Sequence, residues 1–176
     1  MAATAAATPP FRLRVALAAP RPAIPAGQSC ELEATVHNDD DAVLTVLAWN
    51  NPLDPSAGLL GVFEVRDRDS GQDIPTAIIQ MSRMLPPLPD HLVEIRPGES
   101  TVARVVLDAI TLPPNRTYSV VAKGRWQSVW RLPKDEVVAK HLSDQETILV
   151  GDFLSNPIEV SQVSRPPQHR PEREIV

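Results

Sequence analysis

The side chains best suited to catalysis or metal binding are scattered along this sequence. Zinc hydrolysis requires two imidazoles one helical turn apart, as in His-Glu-x-x-His, together with a general base. The histidines form no such pair, since they stand at His37, His91, His141 and His169. An acid–base pair of Asp54 with His91 would depend entirely on the fold bringing them together. The same holds for Asp108 with His141, and nothing in the spacing favours either pair.

Other catalytic motifs are missing from the sequence as well. It contains neither a glycine-rich phosphate loop nor a Gly-x-Ser-x-Gly elbow. Cys30 is the one cysteine, so no internal disulfide forms, and no neighbouring residue in the sequence would lower the pKa of its thiol. We interpret Cys30 as a small buried residue of a strand. The sequence therefore predicts no catalytic residue, no metal and no cofactor.

The acidic run from His37 to Asp41 has two interpretations. It could hold calcium, but it lacks ligands at regular alternate positions and a distal bidentate carboxylate. Asn and Asp satisfy their own backbone in turns, so a hairpin connection is the better interpretation.

Composition argues against nucleic-acid and membrane partners. The net charge is -5 and the sequence pI about 5.3, whereas nucleic-acid binders concentrate Lys and Arg on one face. No apolar run approaches the length that spans a bilayer. Residues 1–10 lack the basic and apolar regions of a secretory signal, so the sequence predicts a cytoplasmic protein. Asn115-Arg116-Thr117 matches a glycosylation sequon, but without export we interpret it as turn chemistry.

The elements that position these side chains are strands. Apolar and polar residues alternate with period two in short segments, and 19 prolines cluster between them, where strands must stop. Residues 134–142 are the one candidate helix, of at most two turns. The predicted strands cover residues 11–17, 28–37, 43–49, 61–66, 92–95, 101–107, 117–122, 148–150 and 158–160. One strand about every ten residues predicts an all-β, immunoglobulin-like antiparallel β-sandwich of Greek-key type.

Domain organisation follows from the same pattern. We predict a flexible N-terminus at residues 1–10, one sandwich domain at residues 11–163 and a disordered Pro-, Arg- and Glu-rich tail at residues 164–176. At 176 residues the chain is long enough for one core without a disulfide or metal.

One long irregular loop, residues 76–89, carries an apolar ridge that includes Met81, Met84, Leu85 and Leu88. Two interpretations remain open: the ridge is a contact surface, or it caps one end of the core. Trp126 and Trp130 raise the same question, because each could be an exposed aromatic contact or a cover on the core.

A family resemblance rests on the order of six segments. Residues 33–38, 49–54, 61–65, 92–100, 116–120 and 153–160 follow one another as strands and turns, with a Gly-Glu-Ser run at 98–100 and a Tyr-x-Val strand at 118–120. In that order they resemble the propeptide region of fungal deuterolysin-type metalloproteases and related standalone proteins. The resemblance implies an immunoglobulin-like sandwich that assists folding and keeps a zinc protease latent. The absence of a His-Glu-x-x-His pair departs from a full protease.

Two main classes of function follow, beside a purely structural β domain that self-associates through an edge strand. The first is a noncatalytic protein-interaction module, with a metalloprotease as the partner in the propeptide-like inhibitor or latency version. The second is an enzyme or small-molecule binder with a pocket at one end of the sandwich, lined by Trp49, Met84 or Trp126. Proline-stiffened loops on a rigid sandwich lose little entropy on binding. We therefore predict a contact surface built from Trp49, Asn51, Leu53, Asp54, Met81, Met84, Leu85, Trp126 and Trp130.

Overall fold

The computed structural model describes residues 8–108 and 112–164, and these residues form a β-sandwich. The strands are β1 (Leu13–Ala18), β2 (Ala23–Pro25), β3 (Cys30–Asn38), β4 (Leu44–Leu47), β5 (Phe63–Asp67), β6 (Asp73–Ile74), β7 (Leu92–Ile95), β8 (Ser100–Leu107), β9 (Arg116–Trp130), β10 (Leu149–Leu154) and β11 (Ile158–Val163). The predicted immunoglobulin-like all-β class is confirmed. Most of the two predicted terminal segments, residues 1–7 and 165–176, lies outside the described residues.

The strands form two sheets that differ in size. The smaller sheet has the antiparallel order β1-β3-β8. The larger follows the order β2-β11-β9-β4-β7, with β10 and β5 also paired to β9. Strand β9 supports both ends of this sheet, since its first half pairs with β11 and β5 and its second half with β10 and β4.

The core lies between the sheets and follows the period-two pattern. In β3 the inward side chains are Cys30, Leu32, Ala34 and Val36, and all are fully buried. The largest side chains buried to this degree are Trp126, Trp130 and Tyr118. The Tyr118 hydroxyl donates to the carbonyl of Pro113, the tyrosine-corner contact found in many such sandwiches.

A second, smaller apolar cluster lies at one end of the larger sheet. It contains Leu47, Trp49, Leu92, Trp130 and Val137. Val137 comes from a short helical segment, in which a turn of α-helix, α1 (Lys134–Glu136), continues into a π-type turn at Val137–His141. The helix predicted at residues 134–142 is thus two turns long and covers the end of the sheet.

Ion pairs and side-chain hydrogen bonds fix the turns. The acidic turn connects the two sheets and is not the predicted hairpin, because β3 pairs with β1 and β8 whereas β4 pairs with β7 and β9. Asn38 Nδ2 fixes this turn by donating to the carbonyls of Ala42 and Ile95, both at 2.8 Å. At the hairpin between β5 and β6, Arg116 donates to Asp67 at 2.7 Å. That bond, together with the backbone N–H of Ser70, holds the pKa of Asp67 below its usual range.

A side chain pairs with backbone groups on the free edge of strand β1. Asn156 Oδ1 accepts from the backbone N–H of Leu17 at 2.8 Å, and Asn156 Nδ2 donates to the carbonyl of Leu17 at 3.1 Å. The side-chain amide thus replaces one residue of a neighbouring strand.

Candidate binding surface

The loop at residues 50–54 is held by its own hydrogen bonds. Asn51 is fully buried, donates to the carbonyl of Leu47 at 2.7 Å and accepts from the N–H of Leu53 at 3.0 Å. Asp54 is also buried and accepts from the N–H groups of Asn50 at 2.8 Å and Ser56 at 2.9 Å. These bonds use the polar atoms of Asn51 and Asp54 inside the loop, so both side chains lie beneath the surface.

Arg83 joins this loop to the long irregular segment, residues 75–89. Its guanidinium lies 2.5 Å from a carboxylate oxygen of Asp54, whose side chain is fully buried. The same guanidinium lies over the ring of Trp49, 5.5 Å from the centroid. The ring centroid of His91 lies 5.4 Å from the ring centroid of Trp49. The segment is therefore anchored by its one charged residue.

With Arg83 turned inward, apolar side chains of the segment face solvent. Met84 is 84% exposed and Leu85 is 80% exposed. We define the apolar ridge as the exposed side chains Ile78, Ile79, Met81, Met84, Leu85 and Leu88. Large apolar side chains that lie together on a surface mark contact sites in soluble proteins. These exposures argue against the interpretation that the ridge caps the core, and the contact surface stays a prediction.

The other predicted contact residues differ in how far they are exposed. Met81, Met84 and Leu85 lie on the apolar ridge, and Leu53 is partly buried against the main core. Trp49, Trp126 and Trp130 are at most 5% exposed, so they serve the core and not the surface.

Sequence reasoning missed Arg83, Ile78 and Ile79. The available signal was a lone charged residue within an apolar segment that has prolines at both ends, because such a charge requires a partner.

In the two acid–base pairs that depended on the fold, three of the four residues bind other groups. Asp54 is bound by Arg83, and His91 Nδ1 accepts from the N–H of Leu88 at 3.2 Å. His141 lies 3.3 Å from Asp144. Within residues 8–108 and 112–164 no three His, Cys, Asp or Glu side chains are grouped to hold a metal ion. His169 lies outside the described residues.

Cys30 is buried in β3, and burial raises the pKa of its thiol to about 11. The thiol is therefore protonated at neutral pH and is a packing group, as the sequence predicted.

Two surface depressions have linings that do not include the predicted pocket residues. An open one of about 1040 Å³ is lined by Val43, Glu94, Arg96, Pro97, Pro133, Lys134, Asp135, Val138 and Ala139. A more enclosed one of about 580 Å³ is lined by residues between Arg21 and Glu31 and by Val106. Neither is lined by Trp49, Met84 or Trp126, the residues on which the small-molecule alternative depended.

No helix in the described part of the chain is long and apolar enough to cross a bilayer.

Comparison with known proteins adds a family match and a relative. A family model for an immunoglobulin-like domain matches residues 26–162. A protein of Arthroderma benhamiae, described as an uncharacterized secreted protein, is 43% identical over 142 residues, which cover 78% of this chain and 72% of that protein. These matches do not show the predicted relationship to deuterolysin propeptides.

Solved structures share the fold only distantly. A β-glucosidase from Listeria innocua aligns with a TM-score of 0.40 at 10% identity, over 89% of this chain and 16% of the enzyme, so the chain spans about a sixth of that protein. A CARDB domain from Pyrococcus furiosus, in complex with di-metal ions, aligns with a TM-score of 0.38 at 13% identity, over 90% of this chain and 100% of that domain. Neither similarity is close enough to bear on function.

The predicted cytoplasmic location is wrong, because the relative at 43% identity is a secreted protein. The prediction relied on the composition of residues 1–10, which lack the pattern of a secretory signal.

Proposed function

Because the chain belongs to the immunoglobulin-like domain family, we propose that it is a secreted, noncatalytic module that binds a protein partner through the apolar ridge. Secretion is supported by the secreted relative. The observation that carries the binding role is the exposure of Met84 and Leu85, 84% and 80%, on a segment whose one charged residue is turned inward.

Burial of the ridge supplies a favourable free energy of binding. Each large apolar side chain that moves from water into an interface contributes roughly 1.5 to 3 kcal/mol. Exposed apolar side chains that are adjacent mark interaction sites in soluble proteins more often than scattered ones do. Met84 and Leu85 therefore have the properties of central contact residues.

The backbone of the ridge is already ordered, which lowers the cost of binding. Four prolines, Pro75, Pro86, Pro87 and Pro89, restrict the segment. The ion pair of Arg83 with Asp54 fixes it in the middle, and the N–H of Ile79 donates to the carbonyl of Leu59 at 2.8 Å. A preorganised loop loses less conformational entropy on association than a flexible one.

The chemistry of the ridge defines the partner. Residues 75–89 include one charge, Arg83, and Asp54 neutralises it. A charged partner surface would lose its hydration there and gain no compensating ion pair. The expected partner surface is therefore apolar and uncharged. In the finer version of the proposal the partner is a secreted metalloprotease held latent, and this version rests on the resemblance to deuterolysin propeptides.

A pair of matched variants tests the binding surface. The double variant Met84→Lys/Leu85→Lys places two charges on the ridge. The control Val102→Lys/Val106→Lys makes the same change at two exposed apolar residues of β8, which are 58% and 55% exposed. Partners are captured from the culture medium of the source organism, identified by mass spectrometry, purified and titrated against each variant. We expect the ridge variant to raise Kd by at least about tenfold and the control to leave it within about threefold.

Two results would contradict the proposal. One is equal binding by the ridge variant and the wild-type protein. The other is equal loss of binding in both double variants, which would indicate a general effect of positive charge. Size-exclusion chromatography with light scattering on the wild-type protein and the ridge variant tests for a second copy of the chain, since a dimer lost only in the ridge variant would place that copy on the ridge.

The protease version has its own assay. Purified secreted metalloproteases of the source organism are mixed with the wild-type protein and with the ridge variant. Inhibition by the wild-type protein that the ridge variant lacks supports the latency role. Full activity of every protease tested removes that role and leaves the binding module to be judged by the titration.

A further inference from the structure

We propose that Asn115 is an acceptor for N-linked glycosylation, a modification site that uses the export in the proposed function but not the ridge. Asn115-Arg116-Thr117 has the acceptor sequence, with Arg and not Pro in the middle position. The sequence contains five asparagines, and the other four, Asn38, Asn50, Asn51 and Asn156, are not followed two residues later by Ser or Thr. A glycan therefore has one place to attach.

Asn115 lies in an exposed turn, as a glycan acceptor must. Asn115 is exposed and lies in the turn just before β9, with a left-handed φ of 60°. Its backbone N–H donates to the carbonyl of Gln162 at 2.8 Å. The turn is thus fixed to β11 through the backbone, and Asn115 stays exposed.

The hydrogen bonds of the Asn115 side chain are compatible with a glycan. Oδ1 accepts from the backbone N–H of Ser164 at 3.1 Å and from its hydroxyl at 2.6 Å. Glycosylation occurs at the other atom, Nδ2. Both bonds to Ser164 therefore survive the modification, since the amide carbonyl is unchanged.

The reaction balances with a lipid-linked oligosaccharide as donor. A bond forms between Nδ2 and the anomeric carbon of the first sugar, and the bond from that carbon to the lipid pyrophosphate breaks. The pyrophosphate leaves with the bonding electrons, and the one proton that Nδ2 gives up balances the negative charge on this leaving group; Nδ2 keeps its other proton. No oxidant or reductant takes part.

A glycan at Asn115 would leave the apolar ridge open. Strand β9 starts at Arg116 and ends at Trp130, and at about 3.3 Å per residue it is on the order of 45 Å long. Trp130 packs in the same cluster as Trp49, over which Arg83 anchors the ridge. The sugar and this anchor therefore lie at opposite ends of the longest strand, and a bulky, hydrated group at one end does not obstruct binding at the other.

The test is a mass measurement on the full chain, directed with a supplied leader through the secretory pathway of yeast. We expect a mass above that of the polypeptide, which peptide:N-glycosidase returns to the polypeptide value. Peptide sequencing should then find the asparagine-to-aspartate conversion at position 115. An unmodified wild-type chain would overturn the proposal.

Four variants separate glycosylation from folding. Asn115→Asp should remove the glycan and keep the turn, because Asp also tolerates left-handed φ and can accept from Ser164. Thr117→Ala should remove it too, and Thr117→Ser should keep it. Thr117 Oγ1 lies 3.0 Å from Ser161 Oγ, so Ser161→Ala breaks the same contact with the acceptor sequence intact and should stay modified. A glycan that persists in Asn115→Asp would contradict the assignment.

Glycosylation of Asn115 and partner binding by the ridge are tested by separate measurements. Glycan occupancy is a mass and does not depend on any partner, so failure of the ridge titration leaves it unchanged. Conversely, the enzymatically deglycosylated protein should bind the partner with the Kd of the glycosylated form. Location of the native protein in the cells and not in the medium of its source organism would contradict the secretion on which both proposals rely.

Discussion

The contact between Arg83 and Asp54 should stabilise the whole protein as well as shape the ridge. We consider Arg83→Met, which keeps an apolar stem over Trp49 and removes the charge. The Asp54 side chain is fully buried and that of Arg83 is 21% exposed, so the substitution leaves a buried carboxylate without its cation. Loss of one partner of a buried ion pair costs about 3 to 5 kcal/mol.

Two features of the site adjust that figure. The backbone N–H groups of Asn50 and Ser56 continue to donate to Asp54 and partly compensate its charge. Loss of the contact between Arg83 and the Trp49 ring adds a smaller cost, about 0.5 to 1 kcal/mol. We therefore expect the free energy of unfolding to fall by about 2 to 3 kcal/mol. For a protein of this size the corresponding decrease in Tm is about 4 to 12 °C.

A double-mutant cycle with Asp54→Asn isolates the interaction. Urea unfolding of the wild-type protein, both single variants and the double variant should give a coupling of about 2 kcal/mol, with equal m-values. The exposed pair of Arg68 with Glu159, whose side chains are 59% and 55% exposed, is the control and should couple by less than about 1 kcal/mol. A coupling below about 0.5 kcal/mol between Arg83 and Asp54 would refute the view that this contact anchors the ridge.

Three further predictions concern the sandwich itself. Gly58→Ala should lower Tm, because a Cβ there would lie 2.2 Å from the carbonyl oxygen of Val106; an unchanged melting curve would contradict that close approach. Cys30, with its pKa raised to about 11 by burial, should react with Ellman's reagent at pH 8 only as the protein unfolds in urea, and rapid labelling of the native state would show that the strand opens. The lowered pKa of Asp67 stabilises the fold fully above the unfolded pKa of about 3.9, and this contribution is lost as pH falls through the lower folded value; the urea midpoint should therefore fall in acid, and less so in Asp67→Asn.

The fold was predictable because its information is local. Alternation of period two in β3 identified the buried face from Cys30 to Val36 without knowledge of any partner strand. The same reasoning ended β9 at residue 122, since Gly124 and the flanking charges disrupt the pattern. The strand continues to Trp130 because β10 pairs with its second half, and a Cβ at Gly124 would lie only 2.9 Å from Phe153. Strand β2 was missed because three residues next to prolines carry no period at all.

The place of the apolar segment in the sequence was predictable, but which side chains face solvent was not. The apolar segment from Met81 to Leu88 was evident, yet whether it faces solvent depends on Arg83 reaching Asp54, which lies 29 residues away in the sequence. Trp126 illustrates the converse, because aromatic residues near a strand end suit a surface or a core equally well. It is buried against Phe153 in a tilted ring contact, with centroids 4.9 Å apart, and period two does not encode that contact.

The amide of Asn156 has a consequence for the behaviour of the protein at high concentration. By occupying both backbone groups of Leu17, it leaves β1 without a continuous row of free donors and acceptors on which another chain could grow as a fibril. Asn156 is exposed, so Asn156→Ala would leave the apolar interior as it is and still remove this protection. Variants of this kind would pass a stability screen and then aggregate on storage.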